Sequence, residues 1–364
     1  MAKQVVAVLF GGRSSEHSIS SATAGGVLRA IDRDRFTVIP IGITRNGTFV
    51  LEEDNPEKFQ LDSANLPEIV DNGTRIIWPE GADDRTLSVR EADGAVRELG
   101  EVDVVLPILH GVHGEDGTMQ GFLDILGLPY AGGGVLGSAI SMDKHFMKIA
   151  LAAAGIAVSP GFTTTAREWN QDAAGVRARA SAYPLPIFVK PARAGSSVGV
   201  SRVSDMSEFD DAMSIALAED SKVLVEQGIT GREVEVGVLE GRGGAPARAS
   251  LAGEIVLTTR AFYDFEGKYL GGDGVDVVCP AAITDDEMRS LQETAVAAFE
   301  AVDGIGLARV DFFLTENGPV VNELNTMPGF TPISMFPKCW IASGMTYAEL
   351  ITELLDTALE RTEG

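Results

Sequence analysis

The sequence predicts an α/β protein divided into three domains, on three grounds. Val5 to Phe10 and Val102 to Leu109 are continuous apolar runs, as expected of strands buried in a parallel sheet. Each run ends in a glycine-rich turn followed by a helical pattern, the arrangement that puts ligands at the carboxyl ends of strands. At 364 residues the chain exceeds one ordinary core, and a new set of strands begins near Gly231. The boundaries fall at 1–131, 132–229 and 230–364, the first of them at Gly132-Gly-Gly134.

Charge narrows the functions open to such a protein. The chain carries 53 Asp and Glu against 29 Lys and Arg, a formal charge of -24. So acidic a surface repels nucleic acid and anionic membrane, and any phosphate ligand needs a local positive cluster. Cys279 and Cys339 are the only cysteines, which excludes a disulfide framework and cysteine-based metal spacing. The first residues run straight into a strand without a signal-peptide cleavage region, and no apolar run reaches membrane-spanning length. A soluble, cytoplasmic protein is expected.

The first strand ends in Gly11-Gly12-Arg13-Ser14-Ser15-Glu16, and helical spacing resumes about Ala22 to Ile31. The glycine spacing is not that of a dinucleotide fingerprint. Glu16 stands in or just before the first helical turn, as a ligand or as an acid stabilised by the helix dipole. Residues 44–100 have weak periodicity and read as hairpins elaborating the first domain. After the second strand comes His110-Gly-Val-His-Gly-Glu-Asp-Gly117, a tight turn whose histidines read as partners of loop carbonyls rather than as a metal site. A helix follows from Thr118 to Leu126, and another from Ser138 to Ala154 carries Met142-Asp143-Lys144.

Lys190-Pro-Ala-Arg-Ala-Gly-Ser-Ser-Val-Gly-Val200 is a glycine/serine loop between two strands, as in a flap. Small residues leave its backbone N–H groups free to line a phosphate, and Ser196 and Ser197 add hydroxyl donors. It is not a Walker loop. The strand Lys222 to Glu226 ends polar, and Phe262 to Gly274 is an aromatic, glycine-rich segment suited to a lid. Asp285 to Val302 is a helix capped by Thr284, and a last helix runs from Thr346 to about Leu359.

Between those two helices, Arg309 to Gly329 reads as a β-hairpin around Glu316-Asn317-Gly318, with Gly318 supplying the left-handed residue of a three-residue loop. That register sets Asp311 opposite Glu323 and Arg309 opposite Asn325, all four on one face. Two carboxylates and a carboxamide beside an arginine form an all-oxygen set suited to Mg²⁺, which takes its remaining ligands from phosphates. A four-residue turn would separate the carboxylates, and a solvated hairpin face is the other reading.

Taken together, these stretches resemble the ATP-grasp ligases, and among them the D-alanine–D-alanine ligase family. The resemblance rests on Phe10 to Glu16, Leu109-His110-Gly with Gly114-Glu-Asp-Gly117, Met142-Asp-Lys144, Lys190-Pro through Gly199, Phe262-Tyr-Asp with Lys268-Tyr269, Arg309-Val-Asp311, and Glu323-Leu-Asn325 with Pro328-Gly329. Their order is the family's, over essentially the whole chain. Residues 45–95 are longer than in compact members, Ala194 replaces a common acidic residue, and Gln227 a frequent basic one.

The resemblance implies an ATP-grasp fold with an N-terminal parallel α/β domain and nucleotide held between the central and C-terminal domains. It implies that Lys144 and Lys190 hold the ATP phosphates, with Glu226, Glu233 and Phe262 around the adenine and ribose. Ser196, Ser197 and Lys268 would cover the γ-phosphate; Asp311, Glu323 and Asn325 would hold two Mg²⁺, with Mn²⁺ able to replace them. Glu16 would bind the ammonium of the first D-alanine, linked to Ser196 and Tyr269, with His110 close by. Ser334 and Met335 would take the second D-alanine, and Arg309 with the Gly329 N–H would stabilise the oxyanion. The implied product is a peptidoglycan precursor dipeptide, and a homodimer is the expected assembly. The rivals are a ligase using D-lactate or another second substrate, and a non-catalytic ATP-binding module.

Overall fold

The structure is a computed structural model and describes residues 2–60, 66–257 and 275–363. Its first part contains β1 (Gln4–Gly11), α1 (His17–Ala30), β2 (Phe36–Ile43), β3 (Phe49–Leu51), β4 (Arg75–Ile77), β5 (Thr86–Arg90), β6 (Val96–Glu101), β7 (Val104–Ile108) and α2 (Thr118–Ile125). The apolar run in β1 is buried because it lies between β2 and β7, parallel to both, in a sheet ordered β3-β2-β1-β7. Of the elaboration over 44–100, β3 joins this sheet and the later strands form a separate antiparallel sheet, β4-β5-β6.

Helix α1 starts at His17, five residues earlier than its apolar spacing predicts. Its first turns are polar in sequence yet buried, because their hydroxyls bond the backbone: Ser21 Oγ donates to His17 O at 2.9 Å, and Ser20 Oγ accepts from Gly11 N at 2.8 Å. Such bonds remove most of the penalty of burying a hydroxyl.

The middle part contains α3 (Val135–Met142), α4 (Lys144–Ala153), β8 (Gly161–Thr165), α5 (Ala166–Ala180), β9 (Ile187–Pro191), β10 (Ser201–Val203), α6 (Phe209–Glu219) and β11 (Lys222–Gln227), with an antiparallel sheet β10-β9-β11-β8. The single helix expected over 138–154 is two, broken at Asp143. Asp143 is extended (φ -89°, ψ 98°) and caps α4 by accepting from His145 N, while Lys222 Nζ lies 2.8 Å from its carboxylate. A cap plus a half-buried ion pair outweighs the cost of interrupting the helix.

The last part contains β12 (Arg232–Leu239), β13 (Arg248–Leu257), β14 (Val275–Val278), α7 (Asp285–Ala301), β15 (Leu307–Thr315), β16 (Gly318–Asn325), α8 (Met335–Ala342) and α9 (Tyr347–Glu363). Its antiparallel sheet runs β14-β13-β12-β15-β16. The expected cap of α7 is present as a capping box, with Glu287 N donating to Thr284 Oγ1 and Thr284 N to Glu287; losing it would cost about 1 kcal/mol.

Two cores bind these parts. Leu350, Leu354 and Leu355 of α9 pack with Val6, Val8 and Phe10 of the first sheet and with Phe330 and Phe336. Met147 and Leu151 of α4 pack with Leu291 and Phe299 of α7 under Val236, Val310 and Phe312. The second core fixes α4 against the last sheet, and so aims its lysines. Among the described residues no helix is long and apolar enough to cross a membrane.

Candidate active site

The hairpin β15–β16 reaches the expected register by an unexpected route. Thr315 pairs with Gly318, so only Glu316 and Asn317 lie in the turn, and the pairs Leu314–Pro319, Phe313–Val320 and Phe312–Val321 follow without offset. The ladder then slips by one residue, leaving Asn322 as a bulge, and Asp311 faces Glu323 and Arg309 faces Asn325. The extra residue therefore sits in the strand and not in a three-residue loop. A two-residue turn matches the twist of paired strands, and a bulge re-aims the side chains beyond it. Without the slip Asp311 would face Asn322, and Glu323 would point into the core.

Neighbouring β12 lengthens this row, since Glu235 pairs with Asp311. Arg309 holds Asp311 in a fork, Nε to Oδ1 at 2.6 Å and NH2 to Oδ2 at 2.7 Å, with its Nε also 2.8 Å from Glu235 Oε2. Burial opposes its charge, but Asp311, Glu235 and Glu323 hold its pKa well above the ordinary arginine value. Asn325 Nδ2 donates to Asp311 Oδ2 at 3.1 Å. Glu235 escaped sequence reasoning, although the alternation of Glu233 and Glu235 in β12 places both on the cleft face.

This donor set fits a hard divalent cation in part. Two carboxylates and an amide oxygen on one face suit Mg²⁺, and protein cations, Arg309 and Lys144, now neutralise the carboxylates. Among the described residues no three His, Cys, Asp or Glu side chains gather into a metal-binding group. The shell must then be completed from elsewhere, as phosphate oxygens do for Mg²⁺.

Across the cleft the charge is positive. A cavity of about 320 Å³ is lined by Lys144 and Lys190 on one side, Asp311 and Glu323 on the other, and Ser196 and Ser197 at its rim. Glu226 and Glu233 line it further along. Lys144 Nζ is 3.2 Å from Glu323 Oε2 and donates to Ala194 O at 2.9 Å, tying α4 to both the hairpin and the glycine/serine loop. Lys190 pairs with Glu226, and its Nζ lies 3.4 Å from Asn322 Oδ1 on the bulge. Lys148, one turn after Lys144, also reaches Glu226; sequence reasoning passed over it.

The glycine/serine loop is the flap between β9 and β10 that the sequence predicts. Ser196 and Ser197 are left-handed (φ 50° and 58°), a conformation costing on the order of 1 kcal/mol for each residue that is not glycine. Ser196 Oγ donates to Glu16 Oε1 at 2.5 Å, fastening the loop to the first part of the chain. Glu16 occupies the N-cap position of α1 and makes no side-chain cap; its carboxylate accepts from Ser196 instead. A Cβ at Gly195 or Gly111 would come within 3.2 or 3.3 Å of its carboxylate, so both backbones approach it closely.

Glu16 opens into a smaller cavity, about 80 Å³, shared with His110, Arg309, Gly329, Ser334 and Met335. Those residues come together as expected. His110 Nδ1 lies 2.9 Å from Met327 O. A carbonyl only accepts, so Nδ1 carries the proton; burial lowers the histidine's pKa and keeps it neutral. Its buried Nε2 has no partner among the described residues. Glu115 accepts from Gly111 N at 2.9 Å and Met327 N at 3.0 Å, so it and His110 clamp both polar groups of one peptide residue. Burial, reinforced by Glu16, pushes the Glu115 carboxyl up to about 8. Glu115 lies in the Gly114-Glu-Asp-Gly117 motif, but the sequence assigned it no role of its own. Ser334 stands at the N-cap position of α8, its hydroxyl 2.7 Å from Thr331 Oγ1. Phe262, Lys268 and Tyr269 lie outside the described residues.

Comparison with known proteins places this geometry. Residues 5–133 match the family model described as D-ala D-ala ligase N-terminus, and residues 150–356 the one described as D-ala D-ala ligase C-terminus. The chain is 48% identical over 366 residues to the D-alanine--D-alanine ligase of Arthrobacter sp. (strain FB24), covering 100% of this chain and 96% of that protein. It is 50% identical over 370 residues to that of Kineococcus radiotolerans, covering 100% and 98%. Among solved structures, the D-alanine-D-alanine ligase from Coxiella burnetii superposes with a TM-score of 0.83 at 34% identity, over 100% of this chain and 96% of that one. VanG D-Ala:D-Ser ligase from Enterococcus faecalis gives 0.83 at 33% identity, over 98% and 100%. With its sequence and fold shared along the full length of such relatives, this chain belongs to the D-alanine–D-alanine ligase family.

Proposed function

We propose that this protein joins two D-alanine molecules into D-alanyl-D-alanine, converting ATP to ADP and phosphate through a D-alanyl phosphate intermediate. The observation that carries the reading is Asp311 and Glu323 facing Lys144 and Lys190 across one cavity, with Asn325 in the smaller cavity beside Glu16. The chain works as three domains, 1–131, 132–229 and 230–364, with nucleotide between the second and third.

Lys144 and Lys190 bind the phosphates, Glu226, Glu233 and Phe262 surround the nucleoside, and Ser196, Ser197 and Lys268 cover the γ-phosphate. Asp311, Glu323 and Asn325 would hold two Mg²⁺, which neutralise phosphate charge when bound. Glu16 takes the ammonium of the first D-alanine, near the His110 Nε2 lone pair. This holds the substrate carboxylate in line with the γ-phosphorus, and positioning does most of the work. Tyr269 extends the Glu16–Ser196 link. Ser334 and Met335 hold the carboxylate of the second D-alanine while its neutral amine attacks the acyl carbon. Arg309 and the Gly329 N–H then stabilise the oxyanion before phosphate leaves. The dipeptide supplies peptidoglycan precursors in the cytoplasm, the working form is a homodimer, and neither nucleic acid nor membrane is a partner.

A D-Ala:D-Ser ligase on the same fold keeps the second substrate open to test. ADP release is measured with ATP, Mg²⁺ and D-alanine alone, then with D-serine, D-lactate or L-alanine added. D-alanyl-D-alanine should dominate at neutral pH. No ADP release with D-alanine would overturn the reading, and a mixed product would reassign the second site.

A further inference from the structure

Glu226 is shared by two lysines that differ in where they stand. Lys190, on β9, lines the nucleotide cavity; Lys148, on α4, is not among the residues lining it. Lys148 Nζ is 2.5 Å from Glu226 Oε1, and Lys190 pairs with the other carboxylate oxygen. All three side chains are nearly inaccessible, at 9%, 10% and 4% for Lys148, Lys190 and Glu226. One buried carboxylate between two ammonium groups leaves one positive charge in excess.

We propose that Lys148 is the standing counter-ion of Glu226, and that its presence is what releases Lys190 to a nucleotide phosphate. This rests on the nucleotide reading of the cavity given above. An anion entering beside Lys190 must draw it from Glu226, and a buried carboxylate left without a partner opposes that movement strongly. Lys148 stays behind and keeps Glu226 paired, so Lys190 can turn. With Lys148 gone, Glu226 and Lys190 form a neutral pair and offer the phosphates nothing. Burial works against both charges and lowers the Lys148 pKa, while Glu226 supports the ammonium and Lys190 and Lys148 hold the Glu226 carboxyl below its ordinary value. Lys148 is therefore a positioning residue acting through Glu226.

ADP binding by calorimetry and steady-state kinetics on the full chain test this. Lys148→Met should weaken ADP binding and raise the KM for ATP on the order of tenfold or more, with the KM for D-alanine little changed. Lys148→Arg should restore most of the loss. The diagnostic variant is Lys148→Met in a Glu226→Gln background, which keeps the single excess positive charge of the wild-type cluster, now on Lys190, and so also guards against failure to fold. There the effect of removing Lys148 should shrink below about threefold. Lys148→Met binding ADP as wild type does would overturn the role of Lys148, and so would an equal loss in both backgrounds. Wild-type protein that binds no ADP would overturn the nucleotide reading and this inference together.

Discussion

On the hairpin side of the cleft, Asp311, Glu323 and Asn325 owe their positions to strand pairing. On the opposite side, Lys144 and Lys148 come from a helix and Lys190 from a different sheet, and ion pairs hold them. A group placed by register has one position, because leaving it means slipping the strand. A group placed by ion pairing can exchange partners while the backbone stays put. The oxygen side is thus built to be a fixed template, and the cationic side to follow an anion that arrives.

Four experiments break or sharpen that contrast. The largest effect should come from Glu323→Ala, which removes a carboxylate that strand pairing holds on the cleft face. Turnover should fall about a thousandfold or more with the thermal midpoint nearly unchanged, as read by ADP release and calorimetry. Activity within tenfold of wild type would show that the hairpin is no template. Glu16→Gln weakens the charged hydrogen bond to Ser196 and removes the carboxylate charge proposed to take an ammonium. The KM for D-alanine should rise on the order of a hundredfold while ADP affinity stays within a few-fold, and a larger loss of ADP affinity would contradict that division.

Asp143→Ala tests the cationic side, because it deletes the cap of α4 and the partner of Lys222. Stability should drop by about 1–2 kcal/mol in urea unfolding, and the KM for ATP should rise several-fold as the start of α4 frays. An unaltered KM would mean that Lys144 is positioned by its other contacts alone. The last experiment concerns Glu115. Its folded carboxyl titrates near 8 and its unfolded one near the ordinary 4.5, so the folded state holds the extra proton between those values. That contribution to stability is complete below about 4.5 and is lost as pH rises toward 8, on the order of a few kcal/mol. The midpoint advantage of wild type over Glu115→Gln should therefore be greatest near pH 5 and shrink by pH 8.5. A constant difference would show that Glu115 ionises normally.

What sequence revealed follows the same division. The acidic row was legible because strands alternate with a period of two, and a loop length is enough to set which residues face each other. The bulge at Asn322 was not, since a two-residue turn with one bulge ends in the same register as a three-residue loop. The break at Asp143 was hidden because apolar spacing continues through it and its cap becomes visible only with Lys222 in place. The early turns of α1 looked too polar to bury until their hydroxyls found carbonyls and amides. Glu115 and Lys148 take their meaning from Met327 and Glu226, distant in sequence, so even the motif that contains Glu115 does not show what it binds.

The bulge also governs how this hairpin can change by inheritance. Val321 lies fully in the core and Glu323 lines the cleft, although residues two apart in a straight strand share a face. Asn322 supplies the odd step. Were its codon lost, Val321 and Glu323 would become neighbours, and neighbours already face opposite sides, so the shorter chain would reach the same arrangement without an irregularity. Loss of Phe313 or Val320 instead would reverse either the core or the cleft side of the strand it shortens. Descendants of this gene can therefore shed a residue at Asn322 and keep the oxygen row, giving up only the amide that now faces Lys190.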